Sequence, residues 1–151
     1  MINLLNIAKT AALEAADLLR KSKNNIIINK SEGKDIKLQS DLDSENIVIK
    51  ILRDNSDFDI LSEEHGYLKG ESNSNLKWII DPLDGSLNFS RNLPLCCISI
   101  ALWEDNNPLI GVIFDFNANL LYSGIVGEGA WCNDMSINVS NINKKSNSII
   151  C

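Results

Sequence analysis

The stretch Trp78-Ile79-Ile80-Asp81-Pro82-Leu83-Asp84-Gly85-Ser86 decides how this chain is read. Its apolar start suits a buried strand. The strand runs into two carboxylates, Asp81 and Asp84, that flank a proline of fixed backbone geometry. A glycine and a hydroxyl follow at once. Upstream, the short run Phe58-Asp59-Ile60-Leu61-Ser62 ends in a second acidic pair, Glu63-Glu64. Carboxylates at strand ends, with a glycine and a hydroxyl beside them, suit a hard cation and a phosphate. All-oxygen ligands of this kind favour Mg²⁺ over the soft metals.

The local chemistry follows from the turn. Asp81 sits where the apolar strand ends, and Leu83 can offer a carbonyl oxygen. Asp84 turns back toward the same space. Gly85 lets the backbone approach a ligand closely. Backbone N–H groups after the turn, with the Ser86 hydroxyl, can hold phosphate oxygens, the more so if a short helix opens there. Two metals about 3.5–4 Å apart could share Asp81 and clamp an in-line displacement. An Asp-Pro-x-Asp-Gly string is also a good turn sequence in its own right. A surface turn, however, needs neither the Trp-Ile-Ile run nor the Glu63-Glu64 pair. The pattern reads as a Mg²⁺-dependent phosphomonoesterase, or part of one.

Composition bounds the rest. At 151 residues the chain fits one domain, and 44% apolar residues allow a sizeable core. A net charge of −6 argues against a nucleic-acid or anionic-membrane surface, which needs clustered Lys and Arg. The short basic clusters at Lys21, Lys23 and Lys30 and at Lys144-Lys145 read as solvated faces. No segment reaches the roughly 18–20 apolar residues of a membrane span. The N-terminus lacks a signal-peptide pattern, and Glu14 and Asp17 interrupt any such reading. A cytoplasmic protein is expected. The cysteines are Cys96, Cys97, Cys132 and Cys151, without a Cys-x-x-Cys spacing, and His65 is the single histidine. A structural zinc site is not expected, and the cysteines read as free thiols. His65 reads as a neighbour of the site or a solvated residue, and Trp103 as packing.

Helical spacing of Leu4, Ile7, Ala8, Ala11, Ala15, Leu18 and Leu19 predicts a helix over residues 2–20. Ile26-Ile27-Ile28 predicts a strand, and residues 31–34 a turn. A second helix is expected from Ser40-Asp41, with Ser40 as cap and Asp43 in the first turn. Ile47, Val48, Ile51 and Leu52 would be its buried face, and Asp54-Asn55-Ser56 its end. Residues 67–76 read as a surface loop. Strands over 97–103, 109–116 and 120–126, joined by short turns, predict an antiparallel meander, with Cys96 and Cys97 on opposite faces of a strand. Two helices and this meander make an α+β layer domain. Ile149-Ile150-Cys151 reads as the start of another buried strand, which would pair with a sheet edge unless the chain is a truncated form.

These motifs together resemble the inositol monophosphatase family of lithium-sensitive, metal-dependent sugar-phosphate phosphatases. Asp81 to Ser86 matches its Asp-Pro-hydrophobic-Asp-Gly-Thr/Ser string. Asn88-Phe89 matches the inositol monophosphatase branch better than the bisphosphate-nucleotidase branch. Glu63-Glu64 fits the glutamate motif. Gly111-Val112-Ile113 and Gly127-Glu128-Gly129-Ala130-Trp131 resemble later strands and the glycine loop. Lys34-Asp35 and Ser40-Asp41 match the mobile loop and its following aspartate.

The resemblance implies a set of roles. Glu63, Asp81, the Leu83 carbonyl and Asp84 would bind Mg²⁺, with Asp81 bridging two ions. Asp84, Gly85 and Ser86 would bind substrate. Asp41 and Ser86, with Glu63, would orient or deprotonate the attacking water. The substrate would be a small phosphate monoester such as inositol 1-phosphate, and a homodimer is compatible with the family. The fold would be the first part of a layered αβαβα sugar-phosphatase, with residues 1–151 as an N-terminal metal-binding domain. The family's second α/β domain carries a Trp-Asp-x-Ala-Ala-Gly-like motif that this sequence lacks. The chain is therefore expected to be truncated and weakly active or inactive alone. A 3′(2′),5′-bisphosphate nucleotidase, a fructose-bisphosphatase and a non-catalytic interaction protein are the alternatives.

Overall fold

A computed structural model describes residues 1–32 and 35–142, the side chains of residues 30–32, 35 and 36 excepted. Lys34 of the expected mobile loop, the basic pair Lys144-Lys145 and the terminal Ile149-Ile150-Cys151 lie outside the described residues.

Helix α1, Ile2–Ser22, buries Leu5, Ala8, Ala11, Ala12, Ala15, Ala16 and Leu19. These positions recur at the helical period, and their small side chains let the helix lie close to its neighbours. It packs on helix α2, Gln39–Asn55, and on the central strands. Arg20 and Lys21 in its last turn complement the helix dipole.

Between the helices, β1 (Ile28–Glu32) and β2 (Asp35–Leu38) form an antiparallel hairpin. The predicted strand thus starts at Ile28, and Ser31 and Glu32 lie in the strand and not in a turn. Helix α2 buries Val48 and Leu52, with Ile47 and Ile51 partly covered. Ser40 does not cap it. The helix starts one residue earlier, and Asp41 takes the capping role by accepting the Leu38 N–H at 2.8 Å. Asp41 is thus the acidic residue of the first turn. Asp43 lies one step further in and accepts from Gln39 Nε2 at 2.8 Å. At the far end Ser56 Oγ donates to the Leu52 carbonyl at 2.9 Å and stops the helix.

An eight-stranded sheet completes the fold: β3 Asp59–Ser62, β4 Gly66–Leu68, β5 Leu76–Asp84, β6 Cys97–Glu104, β7 Asn107–Asp115, β8 Leu120–Ile125, β9 Gly129–Cys132 and β10 Met135–Ile137. The spatial order is β10-β9-β8-β7-β6-β5-β3-β4. The β3–β5 pair is parallel, and every other pairing is antiparallel. The meander from β6 to β8 follows the predicted hairpins, and the α+β class is as expected. Tyr67 and Leu68 belong to β4, so the loop after the acidic pair is shorter than expected. Cys96 precedes β6 and is buried, so the two cysteines are not a strand pair.

Alternation along the strands sends Trp78, Ile80, Ile98, Ile100, Leu102, Ile110, Val112 and Phe114 into one core with the helices. Trp78 is fully buried, and its indole Nε1 donates to Ser56 Oγ at 2.9 Å. This contact ties β5 to the end of α2. No helix among the described residues is long and apolar enough to cross a membrane.

Candidate active site

Strand β5 builds the site by losing its register at the right place. It pairs with β6 without interruption from Leu76 to Asp81, and the pairing resumes only at Asp84 opposite Cys97. Pro82 has no N–H for the ladder, so the break falls where proline is tolerated in a sheet. The break turns the Leu83 peptide inward. Leu83 is buried, and its N–H donates to Asp81 Oδ1 at 3.2 Å. Gly85 then adopts φ +91°, and its carbonyl accepts the Phe89 N–H at 2.9 Å to open helix α3, Ser86–Ser90. The short helix suggested by Gly85-Ser86 is present.

Ser86 sits between two acceptors. Its Oγ lies 3.2 Å from Asp41 Oδ1 and 3.1 Å from the Leu83 carbonyl oxygen. One hydroxyl hydrogen serves either. Asp41 is 7% exposed, and burial pushes its carboxyl up to about 6, with smaller contributions from Glu64 and Glu63. The hydrogen bonds from Leu38 and Ser86 act in the opposite direction.

Asp81 is pushed up to about 7. Burial is the first cause, and the negative charges of Glu63 and Asp84 add to it. A hydrogen bond shared with Glu63 raises it further. Glu63 and Asp84 are exposed and Asp81 is half-buried. Cys97 Sγ lies 3.8 Å from Asp84 Oδ2 as a weak donor. Burial, with the charges of Asp84 and Asp81, pushes that thiol up to about 11. It stays protonated at neutral pH, in line with an inert thiol.

The structure thus joins Asp41, Ser86 and Leu83 by contact, and it places Asp81 in the combined field of Glu63 and Asp84. As they stand, no three His, Cys, Asp or Glu side chains among the described residues converge to hold a metal ion. The donor set nevertheless fits a hard cation in kind: three carboxylates that repel one another and a backbone carbonyl. Glu63 already meets Asp81, and Asp84 is exposed beside it. Glu64 is engaged elsewhere, with Lys37 Nζ at 2.5 Å.

Two buried residues of α2 were not singled out from the sequence. Ser44 Oγ donates to the Pro82 carbonyl at 3.0 Å. Glu45, fully buried, accepts the N–H groups of Glu64 at 3.1 Å and His65 at 3.4 Å, and its other oxygen meets His65 Nδ1. The available signal was polar residues on an apolar face. Asp41, Ser44 and Glu45 share the helix face of Val48 and Leu52. A separate cleft of about 570 Å³ lies between α1 and α2, lined by Leu18, Ile27, Gln39, Ser40 and Ile47 among others, and contains none of the site residues.

Comparison with known proteins agrees with this geometry. A Nus factor SuhB from Pasteurella multocida is 35% identical over 142 residues, covering 91% of this chain and 53% of that protein. Among solved structures, the extragenic suppressor protein suhB of Bartonella henselae superposes with a TM-score of 0.85 at 28% identity, over 93% of this chain and 55% of that one. The inositol monophosphatase of Anabaena sp. PCC 7120 gives 0.79 at 34% identity, over 93% and 50%. The chain spans about half the length of the relatives it matches. The family model for inositol monophosphatases matches residues 2–151. With the same fold and a family match over nearly every residue, this chain belongs to the inositol monophosphatase family.

Proposed function

We propose that these residues form the metal-binding part of a Mg²⁺-dependent phosphomonoesterase acting on a small phosphate ester, inositol 1-phosphate or a related sugar phosphate. The observation that carries this reading is Asp81, held in the negative field of Glu63 and Asp84. It stands where β5 breaks register, on the segment that leads into Gly85 and Ser86. Such a cluster is costly unless a cation completes it.

Glu63, Asp81, the Leu83 carbonyl and Asp84 would hold Mg²⁺. When bound, the ion supplies charge neutralisation, polarises phosphate oxygens and makes water more acidic. The chain's own groups do the positioning. The backbone N–H groups at Gly85 and Ser86 hold phosphate oxygens, and Asp84 orients the substrate. The Ser86 hydroxyl directs its hydrogen to Asp41 Oδ1, which leaves its lone pairs for a water hydrogen. As the water's proton passes to Ser86 Oγ, the Ser86 hydroxyl proton passes to Asp41, whose raised affinity for a proton suits it to accept one near neutral pH.

Asn88 and Phe89 favour the inositol monophosphatase branch over a bisphosphate nucleotidase or a fructose-bisphosphatase. A substrate panel separates them, since a nucleotidase requires the adenosine moiety. The proposal includes a cytoplasmic setting without direct nucleic-acid or membrane contact. It further holds that residues 1–151 alone turn over poorly or not at all, because about half of each relative's length lies outside the match.

The test is phosphate release from inositol 1-phosphate by the chain as it stands, with and without Mg²⁺, beside Asp84→Asn. Release that needs Mg²⁺ and is lost in the variant supports the site and shows that residues 1–151 alone suffice for turnover. Absence of release, with Mg²⁺ binding that Asp84→Asn abolishes, supports both. Absence of Mg²⁺ binding overturns the reading. A second reading, an interaction protein that keeps the fold, draws on the name Nus factor borne by the Pasteurella relative. A cellular phenotype that survives Asp84→Asn would favour it.

A further inference from the structure

Glu63 and Asp81 follow the last residues paired between β3 and β5, Ser62 and Ile80. Beyond that pair, both segments are hydrogen-bonded to one turn of α2. Asp41, Ser44 and Glu45 stand at i, i+3 and i+4, so their side chains share a face. All three are buried, Ser44 and Glu45 completely. Each reaches a different piece of the site. Asp41 meets Ser86 at the start of α3. Ser44 Oγ donates to the Pro82 carbonyl at 3.0 Å, the peptide that leads into Leu83. Glu45 Oε1 accepts two successive backbone N–H groups, from Glu64 and His65, in the loop that carries Glu63. Its second oxygen is occupied by His65 Nδ1.

We propose that Ser44 and Glu45 are positioning residues that hold the Glu63 loop and the Asp81–Asp84 bulge in place where the β3–β5 ladder ends. A fully buried carboxylate is unfavourable unless its hydrogen-bonding capacity is met. Here it is met largely by backbone amides, which a packed apolar residue could not hold in place. Hydrogen bonds from a carboxylate to main-chain N–H groups are charge-assisted and directional. The helix that bears them is anchored by Val48 and Leu52 on the same face. The β3–β5 ladder fixes the spacing as far as Ser62 and Ile80, and beyond that last pair both segments are held on one turn of α2. Neighbours of metal ligands that fix ligand orientation commonly change metal affinity by 10–100-fold when removed. The consequence for metal binding rests on the function proposed above, whereas the fixing of the loops does not.

Four variants of the same chain test this: Glu45→Ala, Glu45→Gln, Ser44→Ala and, as a control of equal burial without a polar contact, Val48→Ala. Two readouts are taken: amide hydrogen exchange residue by residue, and Mg²⁺ affinity by calorimetry. Glu45→Ala is expected to speed exchange at the Glu64 and His65 amides at least about tenfold relative to the rest of β3 and β5, and to weaken Mg²⁺ binding by about 10–100-fold. Glu45→Gln keeps the Oε1 acceptor and is expected to stay within about threefold of wild type. Ser44→Ala is expected to speed exchange at Leu83, and it carries the test should Glu45→Ala fail to fold. Val48→Ala is expected to lower stability and leave Mg²⁺ affinity alone. Unchanged exchange at Glu64, His65 and Leu83 would overturn the proposal, as would an equal loss of Mg²⁺ affinity in Val48→Ala. If the wild-type chain binds no Mg²⁺, the metal reading falls, and the exchange readout still decides whether α2 holds the loops.

Discussion

Ser86 Oγ lies 3.2 Å from Asp41 Oδ1, although 45 positions separate the two in sequence. The contact joins the first turn of α2 to the first residue of α3, and it leaves a buried carboxyl at about 6. A carboxyl whose folded value is raised holds its proton more tightly in the folded chain. Its unfavourable contribution to stability therefore grows from about 4 to about 6 and is complete above that. Asp41→Asn keeps one acceptor, for the Leu38 N–H, replaces the other with an amide N–H that the Ser86 oxygen can accept, and removes the charge. Without metal, the variant should melt a few degrees above wild type at pH 8, and the two should converge near pH 4. In any preparation that releases phosphate, the same change should slow release by about 10²–10⁴-fold if Asp41 is the base. A variant that melts lower at pH 8 would show that the charge is not a burden there.

Gly85 has to be glycine for two separate reasons. Its φ of +91° disfavours a side chain, and a Cβ there would sit 2.7 Å from the Leu95 carbonyl oxygen. That neighbour is backbone and cannot rotate away. Gly85→Ala should cost at least about 2 kcal/mol in urea denaturation, from left-handed strain plus displacement of the 95–96 segment. Wild-type stability in Gly85→Ala would mean that the bulge relaxes freely, and the preformed phosphate cradle would lose its basis.

Much of this site could be read in advance because its chemistry is local. Asp81 to Ser86 is one continuous string whose break, glycine and helix start are all written in residue types. The meander was legible for the same reason, since hairpin strands pair with their chain neighbours. Ser44 and Glu45 show in the sequence only as polar residues on an apolar helix face, because most of their partners are main-chain groups of distant segments, which leave no mark in residue types. The misplaced cap at Ser40 has a related cause. Local preference favours serine, and the longer reach of Asp41 to the Leu38 N–H moved the helix start. The β3–β5 parallel pairing also escaped notice, because nothing in either strand specifies its non-local partner.

The alanine stripe of α1 is a packing requirement. Ala8, Ala11, Ala12, Ala15 and Ala16 are completely buried where the helix meets α2 and the sheet. Ala15→Leu adds volume that such a contact can accept only by moving the helix, at about 1–3 kcal/mol. The expected result is a lower urea midpoint with an unchanged dependence on denaturant. Leu13→Ala, at an exposed position of the same helix, should stay within about 0.5 kcal/mol of wild type. Equal effects of the two changes would mean that α1 is not held against the sheet as described.

Protons and Mg²⁺ should compete for Asp81, and the direction can be worked out. Its folded value is about 7 against an ordinary 3.8, so the folded chain binds the proton more tightly than the unfolded chain does. Metal-free stability should then fall as pH rises from about 4 to about 7, and this contribution should level off above that. A cation that binds the ionised cluster opposes the loss. The rise in melting temperature caused by a fixed excess of Mg²⁺ should be small at pH 5, where Asp81 keeps its proton, and should grow through about 7 to a plateau. Asp81→Asn should abolish most of that rise and should make the metal-free chain more stable than wild type at pH 8. Ca²⁺, with the same charge and a larger radius, separates general charge neutralisation from a fitted site. A Mg²⁺ effect that is equal at pH 5 and pH 8 would place the ion elsewhere. In that case the repulsion among Glu63, Asp81 and Asp84 would have no cation to relieve it, and the case for a metal-dependent phosphatase would lose its physical footing.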